Sequence, residues 1–174
     1  MSDWSNGTGD WSGSSDWSVV DGHAFSGGAA SYFEGAKPDF TPLFSLPSGD
    51  LTIQARIRLV RFNPTIGAFE TFGITARATA NGSDAFGMCD DCSGGPLVGL
   101  STSGFEHPLA QHPFDPRNAW HDYRVEFRGA QIIGFVDTIQ VFDVVETDHA
   151  DGDVAGLWAS GSVVEVASFT VIRP

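Results

Sequence analysis

Alternation of apolar and polar side chains dominates this chain. Leu51, Ile53, Ala55, Ile57 and Leu59 fall on one side of a segment whose other side carries Thr52, Gln54, Arg56 and Arg58. A period of two sustained this long predicts a strand with one buried and one wet face, hence an antiparallel sheet. Phe69 to Thr79 repeats the pattern, with Phe72, Ile74 and Ala76 set against Thr71, Thr75 and Arg77. Tyr123, Val125 and Phe127 alternate with Arg124, Glu126 and Arg128. Gln131–Val136 and Ile139–Val145 read as a hairpin turned at Asp137-Thr138, and Val154–Ala159 and Val163–Ile172 close the series. Shorter strands are predicted at 23–26, 30–33, 40–46, 85–89 and 97–101. Asp21-Gly22 and Asn81-Gly82 supply turns. No segment shows a helical period.

Three stretches break the rhythm. Residues 1–18 carry Asp-Trp-Ser three times, at Trp4, Trp11 and Trp17. They read as an N-terminal arm or edge strand before a sandwich spanning 19–174, with Trp4 and Trp11 as candidate anchors for a partner. Ser103–Arg117 holds Pro108, Pro113 and Pro116 and predicts a long loop, a kind that is often functional. Glu146–Asp153 predicts an acidic loop.

Composition narrows the classes. Valine, isoleucine, phenylalanine and threonine outnumber straight-chain helix formers, and 21 glycines and 9 prolines punctuate them. β-Branched and aromatic side chains suit a pleated surface, so the fold class is all-β. At 174 residues the chain makes one domain large enough to fold on its own core. No apolar run reaches the length of a membrane-spanning helix, and no basic-then-apolar leader opens the chain, so neither membrane insertion nor a signal peptide is expected. A net charge of −13 repels phosphate backbones and excludes nucleic acid as the expected partner. Neutral or cationic partners, or a bound cation, remain.

The last third resembles the concanavalin A-like lectin and glucanase jelly rolls, including their laminin-G-like branch. The resemblance is carried by Trp120-His-Asp-Tyr-Arg-Val-Glu-Phe, Ile133-Gly-Phe-Val-Asp137, Gly156-Leu-Trp-Ala-Ser-Gly161 and Val163-Val-Glu-Val-Ala-Ser-Phe-Thr-Val171. Asp16-Trp-Ser-Val-Val-Asp-Gly22 is similar to the family's opening strand. The likeness spans 16–174 and is specific over 119–172, where Asp137-Thr138 replaces the usual Asp-Gly turn. It implies a two-sheet antiparallel jelly-roll sandwich. It also implies a place among lectins, adhesion modules, polysaccharide hydrolases or lyases, and virion or cell-surface appendages.

Candidate chemistry is thin. Hydrolases of this fold place carboxylates on one strand face as Glu-x-Asp-x-x-Glu or a one-residue-longer variant, and none of the six glutamates opens such a series. Glu106, His107, His112, Asp115, Arg117, His121 and Asp122 contain the residue types of a polysaccharide lyase without a distinctive spacing. The same loop reads more simply as a rim shaped by its prolines, and next as a sugar-contacting loop using Phe105, His107, His112 and Phe114, with Arg56 and Arg58 as further ligand-binding candidates. Asp148, Asp151 and Asp153 form an oxygen-rich turn that makes calcium the candidate ion, although no cofactor is required. Cys89-Asp-Asp-Cys92 allows a local disulfide, two thiols, or half of a zinc site completed by His107 or His112.

The expectation is therefore a non-catalytic recognition module on an extracellular surface or virion, binding carbohydrate or a protein surface. The alternative is a structural virion decoration or tail-appendage protein that assembles with itself or with a virion. A polysaccharide lyase or hydrolase ranks third.

Overall fold

The computed structural model describes residues 4–5, 7, 9–13, 16–28, 40–42, 46, 49–62, 70–79, 82–90, 94–102 and 107–173. Among these described residues fourteen strands follow one another: β1 (Trp11–Gly13), β2 (Trp17–Val20), β3 (His23–Ser26), β4 (Phe40–Pro42), β5 (Leu51–Phe62), β6 (Thr71–Thr79) and β7 (Gly82–Cys89). Then come β8 (Leu97–Thr102), β9 (His107–Pro113), β10 (Trp120–Arg128), β11 (Gln131–Val136), β12 (Ile139–Val145), β13 (Val154–Ser160) and β14 (Ser162–Ile172). They form two seven-stranded sheets, ordered β1-β4-β13-β6-β7-β8-β9 and β12-β11-β10-β5-β14-β3-β2. The pairing is antiparallel throughout both.

The core lies between the sheets and follows the alternation. The second sheet contributes the odd-numbered apolar residues of β5, Tyr123, Val125 and Phe127 of β10, and Val164, Val166 and Phe169 of β14. The first sheet contributes Phe72, Ile74, Phe86, Met88, Val98, Leu100 and Leu157. Burial of this apolar surface, at roughly 25 cal/mol per Å², is the main force holding the sheets together.

Two expectations change here. The long loop expected at 103–117 contains strand β9, whose prolines at 108 and 113 are tolerated because β9 is the edge of its sheet. The face of β6 expected to be wet is buried, and so is the outer face of β7.

The N-terminal tryptophans belong to the core. Trp11 on β1 and Trp17 on β2 flank Phe40 of β4 at ring-centroid distances of 4.7 and 4.9 Å, and Trp4 lies 5.0 Å from Trp11. β1 and β2 sit at the edges of different sheets, so these rings fill the gap between them. Trp4 and Trp11 are therefore buried rather than free as partner anchors. An indole buries far more apolar area than an exposed arm recovers in water.

Tyr123 carries a buried cost. Its ring is fully enclosed and its hydroxyl has no hydrogen-bond partner. Burial pushes the phenol well above its ordinary pKa, with the Asp137 charge adding to the effect. Removing an unpartnered buried hydroxyl removes its desolvation penalty. Tyr123→Phe is expected to raise stability by about 1 kcal/mol in chemical denaturation. A loss of stability would reveal a partner for the hydroxyl in solution.

Candidate functional site

One cross-strand row organises the outer face of the first sheet. Trp158 pairs with Gly73, Gly73 with Gly87, Gly87 with Gly99 and Gly99 with Gln111. Three adjacent glycines leave a trough in the sheet. The Trp158 indole fills one end: a Cβ on Gly73 or Gly87 would lie 2.6 or 2.7 Å from its Cη2. Its Nε1–H donates to Thr71 Oγ1 at 3.2 Å. Trp158 is wholly buried, so its ring is packing and not an exposed platform.

Gln111, at the other end of the row, lines an open cleft of about 380 Å³ together with Gly94, Gly95, Pro96, Leu97, His112 and Pro113. One wall is the connection from β7 to β8 and the other is edge strand β9. The Phe114 N–H donates to the Pro96 carbonyl at 3.2 Å and holds the two together. Cys89, at the end of β7, is disulfide-bonded, and the chain's one other cysteine is Cys92. The sulfur is thus committed to a bridge, not to half of a zinc site. Apolar Leu97 and the two prolines sit beside an amide that both donates and accepts and an exposed imidazole. Such a mixture suits a small polar ligand with an apolar face.

His112 is the one candidate sugar contact that the structure places in this cleft. Phe114 turns inward, 5.0 Å from the His121 ring and 6.4 Å from Tyr123, and packs on the core. Phe105 and the side chain of His107 lie outside the described residues. Arg56 and Arg58 are on the other sheet. Arg56 pairs with Asp122 at 3.1 Å, and Arg58 pairs with Glu165 at 2.5 Å while lying over the Trp120 ring. These are cross-strand ion pairs of the kind that supports a sheet. Sequence reasoning missed Gln111 and the 94–96 segment, for which the local signal was Gly94-Gly95-Pro96, one residue beyond Cys92.

His121 is a structural residue. Its Nδ1 lies 2.9 Å from Asp137 Oδ2 and its Nε2 lies 3.2 Å from the Pro116 carbonyl. Burial acts to raise the Asp137 carboxyl. The His121 contact, the Asp122 N–H and Arg56 outweigh it and hold the group below its ordinary pKa. Asp137 takes a positive φ of 55°, which explains how it replaces the Asp-Gly turn: aspartate tolerates that region better than most residues.

The acidic loop holds a different constellation from the one expected. Asp148, Asp151 and Asp153 are exposed and do not converge on a common point. The residues that converge are Asp84 from β7, Glu146 just after β12 and His149, all buried. A bulge between Ala76 and Thr79 gives Arg77 a φ of 48° and turns its side chain to the interior. There its Nε donates to Asp84 Oδ2 at 2.5 Å and its other amino group to Glu146 Oε2 at 2.7 Å. The guanidinium carbon lies 4.9 Å over the Phe127 ring. Burial lifts the Asp84 carboxyl to about 6 against the pull of Arg77. Gly152 admits the loop to this place, because a Cβ there would lie 2.0 Å from the Arg77 carbonyl oxygen.

No protein-family model matches the chain, and no curated protein sequence matches it. Solved structures do. The carbohydrate-binding module CBM66 of Bacillus subtilis superposes with a TM-score of 0.61 at 14% identity, over 96% of this chain and 94% of that one. The metal-free carbohydrate recognition domain of Emp46p gives 0.68 at 11% identity, over 98% and 91%. The GH43 protein BlXynB of Bacillus licheniformis gives 0.71 at 11% identity, with 95% of this chain covering 37% of that one. These likenesses establish the concanavalin A-like sandwich. At such identities they establish the fold alone.

Proposed function

We propose that this domain recognises a neutral glycan without cleaving it, taking a sugar unit in the cleft formed by Gln111, His112, Pro96, Leu97 and Pro113. The cleft itself carries the reading: it is open, about 380 Å³, and combines hydrogen-bonding side chains with apolar walls. That volume lies near the lower end of ordinary small-ligand sites. The amide of Gln111 and the imidazole of His112 match hydroxyl groups that donate and accept. The prolines and Leu97 match the C–H face of a pyranose or furanose ring. A net charge of −13 disfavours anionic polysaccharides.

Two structural neighbours that this chain covers nearly end to end are a carbohydrate-binding module and a carbohydrate recognition domain, and this supports the reading. In the GH43 protein the similar part is just over a third of a longer chain. No described residue favours the virion alternative.

A panel of neutral oligosaccharides tested by array and calorimetry checks the proposal. The double variant Gln111→Ala, His112→Ala is expected to lose about tenfold in affinity, corresponding to one or two hydrogen bonds, with an unchanged Tm. Undiminished binding in that variant would refute the cleft as the site. Release of shorter sugars by the wild-type protein would refute recognition without cleavage.

A further inference from the structure

We propose that Asp84, Glu146 and His149 bind one divalent cation of the zinc class, which ties the two sheets together at the end of the sandwich where Arg77 is buried. The argument begins with charge. Arg77 takes one oxygen of Asp84 and one of Glu146, so a single guanidinium faces two buried carboxylates. Asp84 Oδ1 and His149 Nδ1 then face each other at 3.4 Å, each without a hydrogen-bond partner. Their side chains are 1% and 5% exposed. A buried carboxylate oxygen facing an imidazole nitrogen, with neither atom in a hydrogen bond, is costly unless a metal cation or a proton on the imidazole joins them.

The donor set identifies the class of ion. Each of the three residues offers a ligand atom, and these atoms lie within 4.8 Å of one another. Three ligands at roughly 2.0–2.2 Å around a tetrahedral ion lie about 3.3–3.6 Å apart, the spacing that Asp84 Oδ1 and His149 Nδ1 already have at 3.4 Å, so binding would draw Glu146 in toward them and leave a fourth position open. Calcium asks for about six to eight oxygens and has little use for an imidazole. Imidazole with carboxylates suits zinc and its first-row neighbours.

The local chain is built to present these groups. Glu146 and His149 are three residues apart, with the Ala150 N–H donating to the Thr147 carbonyl at 3.3 Å across the turn. That turn sends His149 inward while Thr147, Asp148 and Ala150 stay exposed. Glu146 is itself steadied by the Asp148 N–H, which donates to Oε1, and by its own N–H bond to the Ala130 carbonyl. The exposed aspartates of the loop lie outside this cluster and add negative potential near it. A bound ion would join β7 of the first sheet to the end of β12 of the second, with Arg77 orienting both carboxylates from behind.

The test uses the whole chain, stripped with EDTA and dialysed, with Zn²⁺ alone as the probe. Calorimetry is expected to show one ion per chain. At about a hundredfold excess over Kd, the Tm is expected to rise by about 5–10 °C. Co²⁺ in its place is expected to give visible absorption bands of a four- or five-coordinate site. His149→Asn and Asp84→Asn are expected to abolish both effects, and a circular dichroism spectrum verifies that each still folds. Asp148→Asn with Asp151→Asn, on the exposed side of the same loop, is expected to retain them. The proposal fails if the stripped protein takes up no zinc, or if the His149 and Asp84 variants bind it as the wild type does. It also fails if calcium stabilises the protein as strongly as zinc, or if a proton on His149 satisfies the cluster so that acidification raises the Tm and zinc does not.

Discussion

Arg77→Ala is expected to destabilise the EDTA-treated protein by about 3–5 kcal/mol, the range found when one partner of a buried ion pair is removed. The side chain is 6% exposed and donates to two carboxylates whose own side chains are 1% and 5% exposed. Alanine would leave both without their one guanidinium, and would remove the cation that lies over the Phe127 ring. Lysine is not a substitute, because one ammonium cannot reproduce the planar fork that reaches both acids. Urea denaturation of Arg77→Ala, Asp84→Asn and their combination reads the pair directly. The double variant is expected to be less impaired than the sum of the singles, since removing the acid removes the reason for the base. Additive effects would mean that Arg77 serves packing alone.

Gly87→Ala is expected to cost about 3 kcal/mol or more, at the upper end for overpacking. A Cβ there would lie 2.1 Å from the Phe72 carbonyl oxygen and 2.7 Å from Trp158 Cη2. The first atom belongs to the backbone of a central strand and cannot yield without breaking the ladder. Thermal unfolding of Gly87→Ala beside Gly95→Ala measures the effect. At Gly95 a Cβ meets nothing within 4 Å, so that change is expected to stay within about 0.5 kcal/mol. Trp158→Ala added to Gly87→Ala is expected to bring no recovery, because the carbonyl remains in place. A mild Gly87→Ala would show that the trough is looser than the register of the sheet implies.

Much of the architecture was legible because burial follows alternation wherever one face meets the core and the other meets water. β5, β10, β11 and β12 are of this kind; β11 and β12 keep the spans read from the chain, while β5 runs on to Phe62 and β10 begins earlier, at Trp120. Glu165 meets Arg58 across the β14–β5 ladder, and Glu126 takes its arginines from its own strand, at 124 and 128. β6 and β7 misled because both of their faces are buried. Glycines and small polar residues on an outer face look like solvent-exposed positions when the indole that covers them lies more than seventy residues away. β9 misled because proline marks a loop locally and an edge strand only once the sheet order is known.

The candidate sites divide in the same way. The period-two pattern and the turn residues by themselves determined an all-β fold, its last five strands, and the loop that carries the acidic run. Those features depend on neighbours a few residues apart. Which member of that loop faces inward was decided by tertiary structure alone. Residue type would have chosen Asp148, Asp151 and Asp153, yet the buried set is Glu146 and His149 joined by Asp84 from a strand some sixty residues earlier. Local sequence also does not reveal that a bulge rotates Arg77 into the core, or that Gln111 ends a row begun at Trp158. Long-range register brings those groups together, and it is set by how two whole sheets fit, a property that no short stretch of the chain contains.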